Sequence, residues 1–282
     1  MFGRNGRGIR EFWIDAFCVA GLSAITLMIA QPRESSRINA AEVTPVAKPQ
    51  QLYGEPVKLG NGTARTKITL DEQGRPSSIG IVLDQQALEG LPDCDAKTPP
   101  RSCCEGPEYV LSLPKQLAVP PYDHVVINWN PRGHEPVGVY DVPHFDFHFY
   151  MINQEERHTI TGKPEDKARE CRQPGAEFCP VGYINTDKSY RHMGNHLVDA
   201  DTPELHGQPF TRTFIYGTLD GRISFIEPMI TRAYLLSHPS ASQPIKQPQK
   251  FGVSGYYPTH YSVKYDGLEK VYLVTLDNLI WR

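Results

Sequence analysis

The segment HFDFHFY, residues 144–150, alternates strictly between polar and aromatic side chains up to Phe149. Successive side chains of a β-strand point to opposite faces of a sheet, so this period of two predicts a strand with two unlike faces. One face carries the aromatic rings of Phe145, Phe147 and Phe149. The other face carries three side chains that bind protons or metal ions, His144, Asp146 and His148. We therefore expect a sheet that packs one face against a core and holds a polar row on the other.

Short apolar or alternating runs separated by turn residues continue through most of the chain. FTRTFIYGTLDGRISFIEP predicts a hairpin with Asp220 and Gly221 in a type I′ turn, and YYPTHYSVKYDGLEKVYLVTL repeats the pattern around Asp266 and Gly267. Helical patterns are confined to DQQALEGL and TRAYLLS. We predict a mainly β fold: a single antiparallel sandwich or barrel-like domain over residues 52–282, with long loops and little helix.

The N-terminus has a different character from the rest of the chain. Three arginines precede the apolar run AFCVAGLSAITLMIA, which ends at Ala30 and is followed by polar sequence. This run is short for a membrane span of about 20 residues but is typical of a secretory signal. We predict a signal peptide or membrane anchor at residues 1–30, a polar linker at 31–51, and export. The protein would be periplasmic, extracellular or membrane-anchored, facing an oxidising compartment, with membrane contact only through an uncleaved N-terminal segment.

Five cysteines lie in loop-like sequence rich in proline, aspartate and glycine. They are Cys94, Cys103, Cys104, Cys171 and Cys179. Loop cysteines of an exported chain usually form disulfides, so we predict one bond between Cys171 and Cys179 and another from Cys94 to Cys103 or Cys104. One thiol then stays unpaired. A zinc site is the alternative, but the chain contains no C-x₂-C pair.

Charge and motif content exclude several classes of function. The formal net charge is −3 and no basic stripe is visible, so no nucleic-acid partner is expected. The sequence has no G-x-S-x-G nucleophile motif, no P-loop, and no G-x-G-x-x-G after a predicted strand. The polar row of the histidine strand is therefore the main chemical feature.

That polar row is a candidate site for one divalent metal ion. Residues i and i+4 of a strand lie roughly 13 Å apart, so His144 and His148 would not easily share an ion, whereas Asp146 is closer to each of them. His196 in the segment MGNHLVD could complete the site. The outer candidates are Glu135 and Glu227; the segment GHEP upstream of the strand also offers His134, which is not counted among them. Imidazoles with a carboxylate suit Zn²⁺, Fe²⁺, Mn²⁺ or Ni²⁺ without choosing among them.

Each of these residues also has a purely structural interpretation. The histidines and Asp146 could be hydrogen-bonded strand residues, Glu227 precedes a proline as loop or edge residues do, and His134 could cap a turn. The tyrosines of the segment GYYPTHY are expected to be core or interface residues rather than catalytic phenols.

Four segments in this order carry a resemblance: GHEPVGVYDVPHFDFHFYMI, MGNHLVD, FTRTFIYGTLDGRISFIEPMIT and GYYPTHYSVKYD. Together with GTARTKITLDEQGRPSSIGIVLDQQALEGLP they resemble an uncharacterised bacterial family typified by a Thermus protein controlled by an extracytoplasmic sigma/anti-sigma system. The similar stretches span most of residues 60–276. The family often has an aromatic residue after the second histidine block, where this chain has Leu197. The resemblance implies a mostly β domain, export and a ring-like homo-oligomer, and it implies no reaction.

Two hypotheses of function follow. In the first, the exported protein binds a divalent metal ion or small ligand through His144, Asp146, His148 and His196, and its enzymatic version is a metal-dependent hydrolase or lyase. In the second, it is a non-catalytic, self-assembling envelope or stress-response protein. The second hypothesis requires broad exposed apolar surface, for which the tyrosine-rich stretch 256–272 is the candidate.

Overall fold

The computed structural model describes residues 49–93 and 107–282 as an antiparallel β protein. The described residues all belong to one compact unit. The predicted signal or anchor segment, and most of the predicted linker, lie outside them. The strands in chain order are β1 (Gln51–Tyr53), β2 (Val57–Leu59), β3 (Gly62–Leu70), β4 (Pro76–Asp84), β5 (Glu108–Ser112), β6 (His124–Asn130), β7 (His144–Tyr150), β8 (Tyr183–Tyr190), β9 (Gly194–Asp199), β10 (Arg212–Leu219), β11 (Arg222–Thr231), β12 (Ser240–Pro244), β13 (Tyr256–Tyr257), β14 (His260–Asp266), β15 (Val271–Asp277) and β16 (Ile280–Trp281).

These strands form two seven-stranded sheets and a small ribbon of β13 and β16. The first sheet has the order β1-β3-β4-β15-β14-β12, with β2 also paired to β3. The second sheet has the order β5-β6-β7-β11-β10-β9-β8. All pairings in the described part of the chain are antiparallel, and each sheet stays open. The predicted mainly β fold is confirmed as an open two-sheet arrangement rather than a closed barrel.

Helix is sparse, as predicted. The α-helices are α1 (Gln154–His158), α2 (Lys167–Glu170) and α3 (Arg232–Leu236), and short 3₁₀ turns occur at Gln85–Leu88, Pro164–Asp166, Ala176–Phe178 and Pro203–His206. Asp84 caps the first 3₁₀ turn through the backbone amide of Ala87. None of the described helices is long and apolar enough to cross a membrane.

The inner faces of the two sheets share one apolar core. Ile68 and Val274 of the first sheet join Ile127 and Phe147 of the second in this cluster. All three phenylalanines of β7 are fully buried in it, which confirms the predicted apolar face. The core therefore fixes both the position and the register of β7.

The two predicted Asp-Gly turns behave differently. Asp220 and Gly221 both adopt positive φ angles, 49° and 79°, as a type I′ turn between β10 and β11 requires. The prediction for Asp266 and Gly267 was wrong in turn type. Strand pairing ends at Asp266 and resumes at Val271, which leaves a four-residue loop. The Asp266 carboxylate accepts the backbone N–H groups of Leu268 and Glu269, so the side chain stabilises a longer loop instead.

The predicted bond between Cys171 and Cys179 is not present, because both are free thiols. Cys171 follows α2 and lies near the charged Lys167 and Asp187. Cys179 instead packs against the main apolar core. Their different environments explain why closeness in sequence did not bring the sulfurs together. The pairing predicted for Cys94 with Cys103 or Cys104 lies outside the described residues.

The tyrosines proposed as exposed assembly surface are mostly core residues. Tyr257, Tyr261 and Tyr272 are all buried, and Tyr256 and Tyr265 pack against the main core. Within the stretch 256–272, the large hydrophobic residue that is strongly exposed is Leu268, at the tip of the β14–β15 loop. The apolar patch that the assembly hypothesis expected there is not formed.

Candidate metal centre

The polar row of β7 lies on the outer face of the second sheet, beneath loops. The pairing of β6 with β7 places Asn130 opposite His144 and Asn128 opposite Asp146. His144, Asp146 and His148 are all buried. One end of the row contacts Phe210, whose ring centroid is 5.4 Å from that of His144, and the other contacts Phe225, 4.8 Å from His148. Two satellite apolar clusters thus shield the row from water.

Group one consists of His134, His144 and Asp146. The Nε2 atom of His144 is 3.2 Å from Oδ1 of Asp146, and Nε2 of His134 is 3.6 Å from Oδ2. One ligand atom from each residue lies within 4.8 Å of the other two. His134 comes from the loop between β6 and β7, so this loop brings a third ligand to two that β7 already holds.

Hydrogen bonds fix the direction in which each group-one residue points. Nδ1 of His144 lies 2.7 Å from the carbonyl oxygen of Val142, and Nδ1 of His134 lies 2.7 Å from its neighbour's carbonyl oxygen at Glu135. A carbonyl only accepts, so each Nδ1 donates and each Nε2 is left with a lone pair in the neutral ring. Asn130 donates from Nδ2 to Oδ2 of Asp146 at 2.6 Å. Such outer hydrogen bonds are typical of metal-binding histidines and carboxylates.

Group two consists of His148, His196 and Glu227. Oε2 of Glu227 is 3.5 Å from Nε2 of His148 and 3.7 Å from Nε2 of His196. Again, one ligand atom per residue lies within 4.8 Å of the others. Side-chain exposure is 0% for His148, 2% for Glu227 and 12% for His196, so this group is almost fully enclosed.

The register of the sheet assembles group two. Ile226 pairs with Phe149, so Glu227 falls beside His148. Gly217 pairs with His196 on the next strand. A Cβ at Gly217 would come within 2.1 Å of the Phe225 ring, so only glycine leaves room for that ring. The Phe225 ring then makes edge-to-face contacts with both histidines, with ring centroids 4.8 Å from His148 and 5.4 Å from His196.

Several buried polar atoms of the two groups have no hydrogen-bond partner among the residues that the structure describes. In group one they are Nε2 of His144 and Oδ1 of Asp146. In group two they are both ring nitrogens of His148, Nδ1 of His196 and Oε2 of Glu227. Buried polar groups are nearly always hydrogen-bonded, and clustered exceptions point to a water molecule or ion.

Charge within group one favours an ionised carboxylate. Burial alone would raise the pKa of Asp146, but the nearby His144 and His134 outweigh it and hold that pKa well below 3.8. Burial would lower the pKa of His134, but the Asp146 carboxylate outweighs it and raises that pKa above 6.5. Asp146 is therefore an anion at neutral pH.

Burial dominates the ionisation of group two. It lowers the pKa of His148 to about 3 and that of His196 to about 4, so both imidazoles are neutral at pH 7. Burial, followed by the charge of Asp146, raises the pKa of Glu227 well above 4.5. Neutral imidazole is the form that binds metals, whereas Glu227 would give up a proton on binding one.

The predicted residues are brought together as two sets rather than one. His144 and His148 belong to different groups, as their spacing along a strand required. His196 and the outer candidate Glu227 join His148. Glu135 joins neither group within the described residues: its carboxylate accepts hydrogen bonds from Lys188 at 3.0 Å and from Tyr190 at 2.8 Å.

His134 is the candidate ligand whose role was underestimated from the sequence. The segment GHEP offered both His134 and Glu135, and only Glu135 was chosen as an outer candidate. The structure reverses that choice, because Glu135 is drawn outward to β8 while the His134 imidazole turns inward to Asp146. Its place directly before the histidine strand was the available signal.

Each group offers two imidazoles and one carboxylate that could hold a divalent metal ion. With bonds of about 2.1 Å, two ligands of a tetrahedral ion lie about 3.4 Å apart. The nitrogen-to-oxygen distances of 3.2–3.7 Å in both groups are close to that value. Two histidines with one carboxylate is also the ligand set of many non-haem iron sites.

Comparison with known proteins gives a partial family match. Residues 71–129 match the family described as TTHB210-like, Hypothetical protein TTHB210. This stretch, about one fifth of the chain, reaches Trp129 in β6 and ends before the histidine strand. No curated protein and no solved structure shows significant similarity. The chain is thus similar, over that stretch, to a domain family of unknown function.

Proposed function

We propose that this protein binds a divalent transition-metal ion at group one, through Nε2 of His134, Nε2 of His144 and the carboxylate of Asp146. The observation that carries the proposal is the direction of the lone pairs. Two histidines whose Nδ1 atoms donate to carbonyls turn their Nε2 atoms toward a buried carboxylate. A lone pair that faces an anion is repelled by it unless a cation, either a proton or a metal ion, lies between them.

A proton is a poorer occupant of this space than a metal ion. Nε2 of His144 is 3.2 Å from Oδ1 of Asp146, yet neither atom makes a hydrogen bond to any described residue. A proton on this nitrogen would therefore not point well at the carboxylate, because a hydrogen bond weakens steeply when its angle is poor. A metal ion accepts ligands from several directions at about 2.1 Å and would satisfy both atoms.

The ligand atoms of group one restrict the bound ion to one chemical class of metals. Imidazole nitrogen with carboxylate oxygen suits Zn²⁺, Fe²⁺, Mn²⁺ or Ni²⁺. Three protein ligands leave a position for water, which a bound metal makes more acidic. The catalytic extension of the proposal is a metal-dependent hydrolase or lyase. Export, homo-oligomer formation and control by a sigma/anti-sigma system remain predictions from the sequence.

The test is the metal content of the untagged full-length chain by plasma mass spectrometry, after loading with each of the four ions, Fe²⁺ under anaerobic conditions. His134→Ala and Asp146→Asn remove group-one ligands, and His158→Ala replaces an exposed histidine outside both groups as the matched control. We expect the wild type and the His158→Ala control to bind an ion that both ligand variants fail to bind. Far-ultraviolet circular dichroism verifies that each variant is folded. Wild type that takes up none of the four ions would refute the proposal.

A further inference from the structure

We propose that group two is a second, separate metal site, so that the chain holds two divalent ions: one that exchanges readily with solvent and one that is locked in. This inference goes beyond the proposed function because it rests on His148, His196 and Glu227, none of which belongs to group one.

Group two encloses several polar atoms that have no hydrogen-bond partner among the described residues. Both ring nitrogens of His148 and Oε2 of Glu227 have no hydrogen-bond partner in residues 49–93 and 107–282. A buried polar group left without a partner destabilises a fold, because it has lost its hydrogen bonds to water. An ion bound to Nε2 of His148, Nε2 of His196 and Oε2 of Glu227 would satisfy two of these atoms at once and use the 3.5 and 3.7 Å spacings that the sheet imposes.

The two groups are too far apart along β7 for one ion to serve both. His144 and His148 are four residues apart on one strand, so their Cα atoms are separated by roughly 13 Å. Each histidine faces a different carboxylate, Asp146 in group one and Glu227 in group two. Each group therefore has its own carboxylate, which could balance part of the charge of a bound cation.

The two groups differ in their exposure to solvent. In group one the His134 side chain is 39% exposed, so an ion there has a route to water. In group two the most exposed ligand is His196, at 12%, and the Tyr190 ring lies edge-on against it with a centroid separation of 5.1 Å. Tyr190 is held by its hydrogen bond to Glu135, which adjoins His134. The Tyr190 ring is thus a cover over group two. An ion in group two can leave only when this cover moves, whereas an ion in group one can leave without that movement.

The experiment follows the loss of metal from the full-length protein loaded with Zn²⁺ and then mixed with excess EDTA. We expect two zinc ions per chain, released in one fast and one slow phase. His134→Ala should remove the fast phase and keep the slow one, and His196→Ala should do the reverse. Glu227→Gln, which preserves side-chain volume, replaces His196→Ala if that variant fails to fold.

Tyr190→Phe tests the cover without touching a ligand. It removes the hydroxyl group that donates to Glu135 and keeps the ring on His196. Loss of a bond worth about 1 kcal/mol should speed the slow phase about fivefold and leave both the stoichiometry and the fast phase unchanged. A slow phase unaltered by Tyr190→Phe would overturn the role of the cover.

The outcomes separate this inference from the proposed function. One ion per chain that is lost in His134→Ala but kept in His196→Ala overturns the second site and leaves the proposed function intact. One ion that is lost in both variants means a single shared centre, which also overturns it. One ion that is lost only in His196→Ala overturns both the two-ion inference and the proposed function. A wild type that binds no ion also overturns both.

Discussion

Replacing Asn130 with alanine should weaken metal binding at group one without removing a ligand. Asn130 is buried and donates from Nδ2 to Oδ2 of Asp146 at 2.6 Å. A hydrogen bond to a charged group contributes about 1.5–3 kcal/mol, and each 1.4 kcal/mol changes an equilibrium constant tenfold. Outer partners of metal ligands typically matter by 10–100-fold in affinity. We therefore expect the Kd for Zn²⁺ at group one to rise about 10–100-fold, measured by competition with a chromophoric chelator.

Asn128 provides the matched control for this measurement. It lies two residues earlier on β6, on the same face and also buried, and its Oδ1 accepts no hydrogen bond from the described residues. Asn128→Ala should change the Kd by less than about threefold, since the bond to Asp146 is intact. Thermal unfolding of both metal-free variants verifies that they are folded. Wild-type affinity in Asn130→Ala would refute the inference that Asp146 is a ligand oriented by Asn130.

Three further predictions concern the fold that positions the site. Gly217→Ala should lower the free energy of unfolding by about 1–3 kcal/mol, because the new Cβ would meet the Phe225 ring at 2.1 Å; urea denaturation measures this, and an unchanged midpoint would contradict it. Phe147→Ala should lower it by about 3–5 kcal/mol in the same assay, since the ring is fully buried between the sheets; a loss below 1 kcal/mol would show that it is not a core residue. Burial would raise the pKa of Glu108, but Arg157 outweighs it and lowers that pKa below 4.5. The ion pair of Glu108 with Arg157 therefore stabilises the fold above about pH 4.5, and this contribution is lost as the pH falls through the folded-state pKa of Glu108. The loss of unfolding free energy caused by Glu108→Gln should therefore shrink between pH 6 and pH 3. A loss that stays constant over this range would exclude the ion pair as its cause.

The faces of β7 could be predicted from sequence because the alternation of a strand is a local property. Three buried phenylalanines and three polar residues at alternate positions leave one consistent arrangement once a core exists. The separation of His144 from His148 followed from the same geometry, since a strand advances about 3.3 Å per residue. The assignment of His144 and His148 to different groups could therefore be predicted without knowledge of the tertiary structure.

The composition of each group could not be predicted, because it depends on strands that are distant in sequence. Glu227 meets His148 through the pairing of β11 with β7, and His196 reaches the same carboxylate across β10. The choice between His134 and Glu135 is harder still. These neighbours point in opposite directions, and Lys188 and Tyr190 of β8, more than 50 residues away, decide which one turns outward.

The site and the core are two consequences of one register. A slip of a single residue in β7 would move the histidines into the core and the phenylalanines beneath the loops, so the apolar face selects the arrangement that the polar face uses. The polar face itself opposes folding in the absence of a ligand, since it buries imidazoles and carboxylates whose atoms have no partners among the described residues. Nothing in core packing requires His148 or Glu227 to be polar; valine and isoleucine at neighbouring positions of the same face, Val126 and Ile215, are equally well buried. A fold that brings four imidazoles and two carboxylates together gains stability when something binds them, and cations would do so in both groups.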